Sequence, residues 1–225
     1  MAQGWRQNVW VLPVSAVIFA AMIVAVPPFL SFDPARQLSP LNANFPGLDF
    51  GLTLTHVLLA TVALVTLCLS IWPWLRVRHP AVHRWSGRVY VFTALPAALL
   101  TLPLVFLNNE WQADVGAAAT GLFWFVTTLI GYIGIRRGNE ARHRRWMLYS
   151  FAMAGSFVWG VAMGLGPLFS KPALFPYLVE IIRWVGPLIN LGAVKWWLDH
   201  TARRNARVTP LPAAAQRDHI DRRAA

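Results

Sequence analysis

The chain has 225 residues, of which 56% are hydrophobic and 13% charged, with a formal charge of +11. Its apolar residues fall in long blocks, which excludes an ordinary soluble core and marks a membrane protein. The arginines sit in the gaps between those blocks, where they act as a topology signal rather than a polyanion-binding face, so no nucleic-acid partner is expected.

A spanning helix takes about 20 predominantly apolar residues. Six segments meet that length: about 9–30, 51–75, 86–107, 115–135, 146–169 and 176–198. The fold class expected is therefore all-α and polytopic, one domain over residues 1–198 with a basic, disordered tail over 199–225. The first run follows Arg6 but lacks a small-x-small cleavage site, so it is taken as a retained helix and not a signal peptide. Residues 31–50, with Pro, Asn and Asp, form the one long connection and read as an ordered or semi-ordered external loop. Cys68 is the single cysteine and lies inside an apolar run, which removes disulfides, thiolate metal sites and Cys-x-x-Cys chemistry.

Orientation follows from the flanking cations. Sixteen arginines, among them Arg76, Arg78, Arg84, Arg88, Arg136, Arg137, Arg142, Arg144 and Arg145, fall on the side of the two termini; Arg36 and Lys171 fall on the other. The positive-inside rule puts both termini and both arginine-rich loops in the cytoplasm, with the chain as a multi-pass protein of the cell membrane. Helix-start chemistry is visible in the same loops. Pro80 suits the first turn of a helix running into the third span, and Asn139 can cap the fifth with Glu140 in its first turn.

Those loops also repeat. His83 aligned on His143 sets Arg76 on Arg136 and Arg84 on Arg144, so the repeat unit is a two-helix hairpin. Two spans restore the chain direction, which makes this a parallel duplication with both histidines at one depth. In the fifth span Ala152, Ser156, Gly160 and Gly164 recur every four residues, a small-residue stripe that lets another helix approach or leaves a groove for a flat ligand.

His56, the motif His83-Arg84-x-x-Gly87-Arg88-x-Tyr90, the motif His143-Arg144-Arg145-Trp146-Met147, and Asn190 together resemble the bacterial predicted membrane proteins of domain-of-unknown-function family 2306, over roughly residues 50–195. The resemblance implies the fold and leaves the activity open. This chain departs from that pattern at Tyr149, where an arginine is favoured, and at Lys195, where an acid is favoured.

Two groups of residues carry potential chemistry. His83 and His143, as neutral imidazoles at matched depth, are suited to be axial ligands of one haem b, with Arg84, Arg88 and Arg144 toward its propionates. That would make a redox or respiratory-assembly protein. A two-haem protein of the cytochrome b561 kind is excluded, because His56 is the only histidine at the other level, and the histidines are too few for a di-iron hydroxylase. The second group is His56, Glu180 and Arg183, costly polar residues at one depth near the outer ends of their helices. Glu180 and Arg183 are spaced to pair on one helix face. These three are the catalytic candidates of a membrane enzyme or binder for a lipidic or isoprenoid substrate, with Trp124 and Trp159 deep enough to line a pocket. In a third reading the arginine loops are a non-catalytic scaffold for a membrane-protein partner or anionic lipid. A transporter is disfavoured because no pair of broken helices stands out.

Overall fold

The computed structural model describes residues 10–36, 44–107, 115–164 and 175–208. Helix α1 covers Val11–Ala25 and a short α2 covers Pro27–Leu30, followed by a 3-10 turn at Pro34–Arg36. Then come α3 (Pro46–Ile71), α4 (Pro73–Arg78), α5 (Pro80–Leu107), α6 (Val115–Arg136), α7 (Glu140–Ala154), α8 (Phe157–Gly164) and α9 (Phe175–Val208). Among the described residues there is no strand, and the all-helical expectation holds.

Four of these helices are long and apolar enough to cross a membrane: Pro46–Ile71, Pro80–Leu107, Val115–Arg136 and Tyr177–Arg204. At 1.5 Å per residue, 22 to 28 residues reach roughly 33–42 Å, beyond the ~30 Å hydrocarbon core. Two expected spans differ. The first is divided ahead of Pro27-Pro28, leaving α1 with 15 residues. The fifth is interrupted at Gly155-Ser156, where the Ser156 hydroxyl donates to the Met153 carbonyl and the helix restarts as α8. Six continuous spans are thus not what the described residues form. The last helix also runs on to Val208, past the expected start of a disordered tail, while residues 209–225 lie outside the described part.

Large apolar side chains cover the outside of the long helices. Phe92 is 76% exposed and Phe106 87%, which suits a lipid-facing surface rather than a watery one. The inside is made of small residues. Ala63, Ala94, Ala97 and Ala98 are buried and let the helices approach closely. A Cβ on Gly121 would run into Thr101 Oγ1 and lie 3.0 Å from the Ala98 carbonyl, so α6 rests directly on α5 there.

The duplicated hairpins are the frame. α3 packs most extensively on α5, α6 on α7, and the hairpins join through α5 and α6. Helix α9 closes the bundle against α6, α7 and α8, and α1 lies on α3 and α8. The two hairpin turns use different local chemistry. In the first, Trp72 and His79 are pushed out of the helical region because each precedes a proline, which brackets α4 between Pro73 and Pro80. In the second, Gly138 at φ 72° ends α6: Gly138 N–H donates to Ile135 and Asn139 N–H to the Gly134 carbonyl. Asn139 then starts α7, its side chain accepting from Arg142 N–H at 2.8 Å, as its capping character predicts.

Candidate functional site

At the arginine-rich end the two motif histidines do the same job twice. His83 Nδ1–H donates to the Ser70 carbonyl of α3 at 3.0 Å, and His143 Nδ1–H donates to the Gly131 carbonyl of α6 at 2.9 Å. Each histidine clips its helix to the preceding one of the same hairpin. Because a carbonyl only accepts, Nδ1 bears the proton in both, and Nε2 is the remaining ring nitrogen. Ser70 is among the last carbonyls of α3, which have no partner inside their own helix, so His83 also satisfies a helix end. Arg76, Arg84 and His143 all lie within electrostatic range of His83.

The arginines around them are spread out. Arg88 stacks over Trp85 at 5.0 Å and Arg144 over Trp197 at 5.7 Å, while Arg84 is exposed. Burial, and then the neighbouring Arg144 charge, pulls the Arg76 guanidinium below its ordinary value. His79 is edge-on to Trp74 at 5.2 Å. A surface cavity at this end is lined by Asn139, Ala141, Arg142, Arg145 and Trp146, and so by neither motif histidine.

Deeper in the bundle the repeat closes on itself. Tyr90 and Ser150 occupy equivalent positions seven residues beyond their histidines, and their hydroxyls bond to each other. Thr128 Oγ1 donates to the Trp124 carbonyl at 2.7 Å, which leaves Ser150 to donate to Thr128 and Tyr90 to donate to Ser150. Trp124 Nε1–H donates to the Tyr90 oxygen at 2.9 Å and completes the circuit. Every hydroxyl hydrogen has one acceptor, and the chain ends on a backbone carbonyl. Such a buried, fully satisfied ring fixes the hairpins against each other.

Beyond this ring, toward the end opposite the arginines, lies a cavity of about 550 Å³, inside the usual ligand-pocket range of about 300–1,000 Å³. Its walls come from every helix but α4, with Trp124 from the ring, Leu64 and Met153 on the deep side, and His56, Thr101, Thr120 and Arg183 nearer the helix ends. The structure therefore brings His56 and Arg183 onto one cavity. His56 Nδ1–H donates to the Ala97 carbonyl of α5 at 2.9 Å, which holds the ring across the first hairpin. Thr120 Oγ1 donates to the Arg183 backbone carbonyl.

Glu180 goes elsewhere. Its Oε1 accepts from Gly116 N–H at 3.0 Å and from Trp184 Nε1–H at 2.6 Å, and it is not among the cavity-lining residues. The expected Glu180–Arg183 pair is not made, because the carboxylate serves the unpaired N–H groups and positive dipole at the start of α6 instead. Its Oε2 is buried with no hydrogen-bond partner. Trp159 is also not on the cavity wall; it donates to Asn190 Oδ1, while Asn190 Nδ2 donates to the Ala152 carbonyl.

The small-residue stripe divides according to these surroundings. Ala152 is buried in the core, whereas Ser156 and Gly160 line the cavity, and a Cβ on Gly160 would meet nothing within 4 Å. Gly160 leaves space instead of allowing helix contact. Sequence reasoning passed over Thr61, Thr101 and Thr120, although hydroxyl residues inside apolar runs were the available signal. Among the described residues no group of three or more His, Cys, Asp or Glu side chains is placed to hold a metal ion.

The two departures from the resemblance are neighbours. Tyr149 on α7 lies within electrostatic range of Lys195 on α9, and Lys195 Nζ pairs with Asp199 at 2.8 Å on the exposed helix face. The family described as predicted membrane protein, DUF2306, matches residues 53–198, which takes in both hairpins and most of α9. No curated protein and no solved structure matches the chain.

Proposed function

The chain belongs to the predicted membrane protein family DUF2306, and on that premise we propose that it holds a lipidic ligand in the cavity walled by His56 and Arg183. The observation that carries this reading is the convergence of two costly intramembrane polar residues, distant in sequence, on one mainly apolar chamber. An apolar tail belongs against Leu64, Met153 and Trp124, and a polar head belongs at the depth of His56, Thr101 and Arg183. That is the orientation of an amphiphile in its own leaflet. With the arginine loops facing the cytoplasm by the positive-inside rule, the leaflet is the outer one of the cell membrane.

The test is ligand-dependent stabilisation. Purified protein in short-chain detergent should gain thermal stability saturably on addition of long-chain amphiphiles, since a ligand bound only to the native state raises stability by mass action. Ala117 lies on the cavity wall, and Ala117→Trp should abolish the gain by filling the space. Equal stabilisation of both proteins would show that the amphiphile acts only as a solvent.

A second reading is supported by the paired histidines. With both Nδ1 atoms committed to carbonyls, His83 and His143 each keep Nε2 as the ring nitrogen a haem iron would take, and the carbonyl bonds would fix ring orientation. Protein purified from haem-replete cells should show a Soret band that His83→Ala and His143→Ala remove. A colourless protein that takes up no haem on titration would dismiss this reading.

A further inference from the structure

Helices α7 and α8 are separated by the break at Gly155-Ser156, and the two sides of that break differ in burial. Phe151, Ala152, Met153 and Ala154 are all buried, whereas none of residues 157–162 is. α8 has its main contacts with α1 and α9, and its Phe157 and Gly160 line the cavity. Gly160 is also exposed, so at that point a single helix separates the chamber from the outside. A short, poorly buried segment beside a well-packed core is where local opening costs least.

Asn190 of α9 fastens α8 across the break. Ser156 N–H bonds to Met153 instead of Ala152, which leaves the Ala152 carbonyl without its helical partner. Asn190 Nδ2 donates to that carbonyl at 2.9 Å, and its Oδ1 accepts from Trp159 Nε1–H at 3.1 Å. One amide therefore bridges the last turn before the break and the first turn after it. Trp159 fills the same seam: a Cβ on Gly186 of α9 would lie 2.6 Å from its ring. α9 is itself tied to the frame. Pro187 offers no N–H to the Arg183 carbonyl, and Thr120 of α6 donates there, while Glu180 accepts from Gly116 N–H of α6.

Resting on the cavity reading above, we propose that α8 is a lateral door to the cavity, hinged at Gly155-Ser156 and latched to α9 by Asn190, through which the ligand enters from the bilayer. Asn190 is a positioning residue: it sets how often the door stands open. An amphiphile that passes sideways keeps its head at the depth it already occupies, and its tail never crosses water. Because the open state is the minor one, a weaker latch speeds entry and exit by the same factor and leaves affinity unchanged.

The probe is a long-chain alcohol with a diazirine near its tail, mixed with protein in nanodiscs and flash-irradiated at increasing delays. Growth of label on Trp124, Met153 and Leu64 gives the entry rate. Asn190→Leu should raise that rate about five- to tenfold at an unchanged plateau, the effect of losing two membrane hydrogen bonds of ordinary strength. Trp159→Phe loses one of the two bonds, keeps a ring on Gly186, and should raise the rate about two- to threefold. An unchanged rate in both variants, whatever their stability, would overturn the latch. Trp159→Cys with Gly186→Cys, in a Cys68→Ala background, sets two Cβ atoms 3.1 Å apart, a little under the spacing of about 3.5–4.5 Å that a disulfide spans. Oxidised, this variant should admit almost no probe, yet retain probe loaded beforehand against excess competitor; reduction should restore exchange. Equal entry in the oxidised and reduced forms would remove the door while the cavity reading stands. If the wall stays unlabelled in every protein, wild type included, the cavity reading fails and takes this inference with it.

Discussion

Replacing Tyr90 by Phe removes one oxygen from the ring that joins the two hairpins. Tyr90, Ser150 and Thr128 are each 0% exposed, so water cannot substitute. The lost oxygen leaves Trp124 Nε1–H without its acceptor and Ser150 without its donor. An orphaned buried donor costs about 1–3 kcal/mol in water-soluble proteins. Interhelical bonds in membranes average about 0.6 kcal/mol with a maximum near 1.7, because the unfolded helices find other partners. Tyr90→Phe should therefore destabilise by about 1–2 kcal/mol, read from reversible denaturation in mixed micelles. Ser150→Ala should cost a similar amount, and the double variant should cost clearly less than the sum because the two changes disable one circuit. Strict additivity of the two costs would refute the account of a single cooperative ring.

Other positions give sharper contrasts. His83→Ala should destabilise more than His143→Ala, by about 1 kcal/mol in the same denaturation assay, because Ser70 C=O has no helical partner whereas Gly131 lies well before the end of α6. Gly138→Ala forces a side chain into φ 72° and should cost about 1 kcal/mol. Gly121→Ala should cost about 1–3 kcal/mol, since its Cβ would strike Thr101 and the Ala98 carbonyl and push α6 from α5; Gly160→Ala, which meets nothing and gains helix propensity, should not lower the denaturation midpoint. Comparing those two glycine variants separates a packing glycine from a cavity glycine.

The hairpin duplication was legible because it repeats local motifs: His83 and His143 carry arginines at the same offsets, and Pro80 and Asn139 mark the helix starts, whereas the break before Pro73 fell inside an expected span. The common depth of the histidines followed from the same counting. Contacts between distant helices were not legible. Nothing near His56 announces that Ala97 is its partner, since any backbone carbonyl would serve and only the packing of α3 on α5 selects that one. Glu180 and Arg183 have the spacing of a pair, but the competing site at the start of α6 comes from another part of the chain. The interruption at Gly155-Ser156 was hidden by a regular small-residue period, which reads as one helix face until the Ser156 hydroxyl folds back on Met153. Arg203, Arg204 and Arg207 suggested a solvated tail, yet they continue α9 from its apolar part.

The cavity's occupancy can be read directly by photolabelling. A long-chain alcohol carrying a diazirine near its tail, irradiated with the protein in a bilayer, should mark Trp124, Met153 or Leu64 on the cavity wall, and excess unlabelled alcohol should suppress that labelling. Labelling confined to the outward-facing Phe92, Phe106 and Ile181, and indifferent to competitor, would contradict the claim that this protein holds a lipidic ligand inside its bundle.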